Sequence, residues 1–116
     1  MTEVEQIEKL IVVTTPTAAD RVVVETIGIV SGNAIRARHI GKDILAALRA
    51  IVGGEIHEYA KLLAESREQA VDRMVSKAIN LGANGIVNMR FSTSVVMGGA
   101  AEIMAYGTAV ILERKS

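Results

Sequence analysis

From Ile86 to Val95 apolar and polar positions alternate. Val87, Met89, Phe91, Thr93 and Val95 fall on one side, and Asn88, Arg90, Ser92 and Ser94 on the other. This period of two is that of a half-buried strand. Gly98-Gly99 follows, then Ile103 to Leu112, apolar at both parities as in a central strand covered on two faces. A two-residue turn at the glycines predicts a hairpin that pairs Val95 with Glu102, Phe91 with Tyr106, Met89 with Thr108 and Val87 with Val110. In that register Arg90 lies beside Gly107. Arg21 to Ile35 reads as another strand, with Val23, Glu25, Ile27 and Ile29 on one face and Val22, Val24, Thr26, Gly28 and Val30 on the other. Gly28 and Gly32 are its natural points for a bulge or bend. A shorter strand, Lys9 to Thr15, ends where Pro16 holds Thr15 extended.

Glu55 to Asn80 contains neither Gly nor Pro, and Tyr59, Leu63, Ala70, Met74 and Ala78 recur near the 3.6-residue period. It predicts one long amphipathic helix, left through Asn80 and Gly82, residue types that tolerate a left-handed conformation. Ile44, Leu45, Leu48 and Ile51 predict a shorter helix over Ile40 to Ile51, joined to the long one at a Gly53-Gly54 corner. The expected fold is therefore α+β in the order β-β-α-α-β-β. About four antiparallel strands carry both helices on one face, in a single domain over residues 1–116. The other face then needs a second layer, and a neighbouring copy is its natural source.

Composition sharpens this picture. Half of the residues are hydrophobic but only 3% are aromatic, and the mean hydropathy is +0.33. So much aliphatic surface in a small chain predicts burial between subunits of a homo-oligomer. Thirteen acidic residues balance thirteen basic ones, which argues against nucleic acid as a partner. No apolar run reaches the length of a membrane span, and the acidic start M-T-E-V-E-Q lacks the basic region of a secretory signal, so the expected location is cytoplasmic. The absence of cysteine removes disulfides, thiolate nucleophiles and sulfur-rich metal sites.

Two clusters carry candidate chemistry. Arg36, Arg38, His39 and Lys42 gather donors where the short helix would begin, a setting suited to a small anion. The alternative role for this cluster is a basic rim that pairs with acidic groups. Glu55, His57 and Glu58 open the long helix and are the candidates for a divalent metal ion, although their spacing is not that of H-x-x-x-H and a hydrated helix start explains them better. Ser31, Ser66 and Ser92 lack a G-x-S-x-G setting, and no enzyme activity is expected.

Several pieces together resemble the YbjQ-like family of small uncharacterised bacterial and archaeal proteins. They are T-T-P, G-N-A-I, D-I-L-A-A-L-R-A-I-V-G-G, the following Tyr59, L-G-A-N-G-I-V and the late G-T-A-V, covering about Ile11 to Ile111. The resemblance implies a compact α/β domain that assembles as a ring, a pentamer, and a heavy-metal-binding label. Thr14, Thr15, Gly53, Gly54, Tyr59, Gly82, Ala83 and Gly107 match the family pattern, and they are mostly turn or packing types. Where family members carry glycine-rich and polar positions before the tyrosine, this chain has Glu55, Ile56, His57 and Glu58.

Overall fold

The computed structural model describes residues 9–36, 55–96 and 100–116, with side chains over 9–35, 63–94 and 101–116. Its elements are β1 (Ile11–Val12), β2 (Arg21–Arg36), α1 (Glu55–Asn80), β3 (Gly85–Val96) and β4 (Ala100–Arg114). They form one four-stranded sheet in the order β1-β3-β4-β2. β2 and β3 each run antiparallel to the central β4, but β1 runs parallel to β3. The sheet is thus mixed, not antiparallel throughout as the strand pattern suggested. It is also open, with β1 and β2 at its edges, and does not close into a ring. Among the described residues there is one helix where two were expected; Ile40 to Ile51 and the Gly53-Gly54 corner lie outside them.

The helix forms because its apolar stripe has a surface to lie on. Ala70, Met74, Val75 and Ala78 are buried against Val30, Ala34, Ile86, Ile103, Ala105 and Ala109 of the sheet. Small residues set the spacing: a Cβ on Gly32 would run into the Ala70 carbonyl and the Met74 amide, so helix and strand backbones nearly touch there. At its end, the Gly82 amide donates to the Ile79 carbonyl and the Ala83 amide to the Ala78 carbonyl. This pair of bonds is a Schellman cap, with Gly82 at a φ of 86° that a side chain would disfavour.

Because β1 and β2 sit at opposite edges, the chain between them must cross β3 and β4. It does so on the face away from the helix, where Ala18 joins Val87, Val110 and Leu112, with Ile11, Val13 and Val23 packed alongside. Backbone bonds pin the crossing at both ends. The Met89 amide donates to the Val13 carbonyl and the Asn88 amide to the Thr15 carbonyl. At the far side, the Lys115 amide donates to the Asp20 carbonyl. The parallel β1 follows from this route: a direct β1–β2 hairpin would leave that half of the face bare.

The hairpin register differs from the expected one. The last pair is Val96 with Ala100, which leaves residues 97–99 between the strands and shifts every pair: Val95 faces Ala101, Phe91 faces Ala105 and Arg90 faces Tyr106. An irregularity between Val87 and Arg90 then moves the ladder again, so that Val87 faces Thr108 and Gly85 faces Val110. Asn88 takes a φ of 55° at this bulge. In β2 the bulges fall between Val23 and Glu25 and between Thr26 and Gly28, so Gly28 is a bulge as expected, while strict alternation of faces fails along the strand.

Candidate functional site

The anchor at Gly32 shows that α1 runs back along β2, with Ala70 to Met74 over Gly32 and Lys77 to Leu81 near Ile29 to Ser31. The start of α1 and the end of β2 therefore lie at one end of the molecule. Arg36 pairs with Ala101, beside the pair that bounds the β3–β4 turn, so the hairpin tip is at the same end. Arg36 and Glu55, His57 and Glu58, which are 19 or more residues apart in sequence, thus fall at the same end of the molecule, with the start of α1 reaching beyond the end of β2. Arg38, His39, Lys42, Gly53 and Gly54 lie outside the described residues, as do the side chains of Arg36, Glu55, His57, Glu58 and Tyr59.

Arg90 and Gly107 fall elsewhere than expected. Arg90 sits opposite Tyr106, and its guanidinium donates to the Thr14 carbonyl at 2.7 Å and to the Met89 carbonyl at 2.8 Å. It ties down the crossing segment instead of lying over a glycine. A Cβ on Gly107 would meet the Ile86 side chain at 2.7 Å, beneath the helix, and would not meet Arg90. Asn84, within L-G-A-N-G, makes a paired contact that the sequence pattern did not single out. Its side chain accepts from the Leu112 amide at 2.7 Å and donates to the Leu112 carbonyl at 2.9 Å, replacing a strand partner.

Shallow clefts border the helix, two of them rich in charged groups. One, about 400 Å³, is lined by Asn33, Gln69, Asp72, Arg73, Ser76 and Lys77; the other, about 460 Å³, by Ala64, Arg67, Glu68, Val71, Asp72 and Phe91. Both mix acidic and basic side chains on an open surface, which suits contact with another polar surface better than enclosure of a small apolar molecule. Gln69, Arg73, Ser76 and Lys77 recur at helical spacing, so the polar side of the helix was readable from sequence; its position over the β2 edge was not. Among the described residues no three His, Asp or Glu side chains come together as metal ligands. No helix there is long and apolar enough to cross a membrane.

The architecture defines a small α+β protein, one helix on a mixed four-stranded sheet, with no preformed metal centre among its described residues. Residues 10–113 match the family model described as "Putative heavy-metal-binding", and the chain belongs to this YbjQ-like family, also named UPF0145. It is 54% identical to a UPF0145 protein of Methanosarcina acetivorans over 87% of this chain and 95% of that one. A UPF0145 protein of Archaeoglobus fulgidus is 53% identical over 90% and 97% of the two chains. One from Dehalococcoides mccartyi is 55% identical over 90% of this chain and all of the relative. The fold is similar to that in a crystal structure of a protein with unknown function from Pediococcus pentosaceus, placed in the DUF74 family. Its TM-score is 0.59 at 16% identity, covering 90% of this chain and 98% of that one.

Proposed function

We propose that the chain is the subunit of a homo-oligomer, a pentamer as the family resemblance implies, which binds a small charged ligand and is not a catalyst. The observation that carries assembly is the upper part of the sheet face opposite α1. Among the described residues the crossing segment packs on Val87, Val110 and Leu112 and bonds to β3 as far as Arg90, whereas on β2 Ile29, level with Thr108, is 84% exposed and Ile35 63% exposed. Sedimentation at micromolar concentration tests this: one discrete species larger than the monomer is expected, and a stable monomer overturns it.

For the ligand, the family description favours a heavy-metal ion. The described residues hold no ligand set, so such a site draws on His57 with Glu55 and Glu58, or on donors from several subunits. Calorimetric titration of chelator-treated protein with zinc, copper and nickel is expected to show binding tighter than about millimolar, weakened by His57→Ala. A second reading rests on the run of basic residues that begins at the end of β2: a small anion held by Arg36, Arg38, His39 and Lys42. Stabilisation by phosphate or sulfate at fixed ionic strength, lost on replacing Arg36 and Arg38 with glutamine, distinguishes it from the metal.

A further inference from the structure

We propose that copies of this chain join edge to edge, the free edge of β2 in one copy pairing in parallel with the free upper edge of β3 in the next. This rests on the homo-oligomeric reading above and names its contact. Among the described residues β2 is the outermost strand and pairs on one side only, with β4. From Thr26 to Ile35 it carries neither a charge nor a proline, the devices that normally keep an exposed edge from pairing. One peptide group of this edge is engaged from the helix, where Arg73 donates to the Asn33 carbonyl. Since that carbonyl points outward, strand alternation turns the peptide groups of Ile29, Ser31 and Ile35 outward as well.

The other edge is open over a matching length. β1 pairs only with Gly85 and Ile86, and the crossing segment takes the amides of Asn88 and Met89. From Arg90 to Val96, β3 has no strand on its outer side among the described residues. The two free stretches lie at the same height. Tyr106 of β4 faces Arg90 on one side and Ser31 on the other; Met104 faces Ser92 and Asn33; Glu102 faces Ser94 and Ile35. β2 and β3 also run in the same direction, because each is antiparallel to β4.

A second copy moved sideways across the sheet therefore brings its β2 alongside β3 without sliding along the strands. The match in length, height and direction is what selects another copy of this chain over an unrelated extended peptide. The contact uses two different surfaces, so it repeats head to tail and is not two-fold. It also extends the half-open face from copy to copy, placing Ser31, Asn33 and Ile35 of one beside Arg90, Ser92 and Ser94 of the next.

The chain has no cysteine, which makes cross-linking clean. In a mixture of Asn33→Cys and Ser92→Cys proteins, oxidation is expected to give a disulfide-linked dimer on a denaturing gel, while each variant alone stays monomeric there. The double variant is expected to give a ladder. Ser31→Pro removes an outward amide and no bond to β4; it is expected to keep a folded circular-dichroism spectrum and to sediment as a monomer. If the unaltered chain assembles but the mixture does not cross-link, or if Asn33→Cys links to itself, edge pairing is overturned and the homo-oligomer stands. If the unaltered chain is monomeric, both fall. Should Ser31→Pro fail to fold, the cross-linked mixture decides alone.

Discussion

The two faces of the sheet are built from the same strands but completed in different ways. Under α1 the strands present Gly32, Ala34, Ala105 and Ala109, and the helix answers with Ala70 and Ala78, so the two layers approach closely and bury Val30, Gly32 and Ala34 of β2. On the opposite face a loop does the covering. It packs Ala18 onto Val87, Val110 and Leu112. Among the described residues the difference is one of kind: a helix layer lies on one face, and a crossing loop covers part of the other. Hydrophobic side chains at Ile29 and Ile35 beyond the loop lose nothing in a monomer, but they become useful only when something lies on them.

The closed face is the easier to break. Gly32→Leu drives a side chain into the helix backbone, and overpacking there is expected to cost about 3 kcal/mol or more, read as loss of cooperative unfolding or a large drop in melting temperature. Met74→Ala, at a fully buried position, leaves a cavity and is expected to cost about 2 to 5 kcal/mol by denaturant titration. Asn84→Ala removes both side-chain bonds to Leu112 and is expected to cost about 1 to 2 kcal/mol. The loop-covered face is more forgiving. Arg90→Ala is expected to cost about 1 kcal/mol or less because the group is exposed. Its signature is faster amide exchange at Asn88 and Met89, with the helix unaffected. Equal acceleration throughout the chain would show that the crossing segment is not a separate unit.

Much of this architecture could be read from residue patterns, and the failures share a cause. The long helix was legible to its ends because Gly and Pro are absent between Glu55 and Asn80 and Gly82 supplies the left-handed exit. The central position of β4 followed from apolar residues at both parities. Register was not legible, since Gly98-Gly99 is compatible with a two- or a three-residue connection, and one residue changes every partner. The bulge at Asn88 was hidden because its alternation of polar and apolar types continues unbroken through it. The parallel pairing of β1 depends on a crossing route, a non-local property that a two-residue strand cannot announce. For the candidate site, sequence identified Arg36 and Glu55, His57 and Glu58 as chemistry; only the antiparallel course of α1 over β2 placed them at one end.

The central claim is that other copies of the chain join this one along the half-open part of this face. Its most direct measurement is sedimentation of the unaltered protein beside Ile35→Lys, which puts a charge on a 63% exposed side chain of that face. As a surface change in the isolated chain it is expected to alter monomer stability by no more than about 0.5 kcal/mol. The unaltered protein is expected to run as one discrete oligomer, and the variant to shift toward the monomer with its circular-dichroism spectrum unchanged. A monomer in both samples, or an oligomer of the same size and concentration dependence in both, contradicts the account.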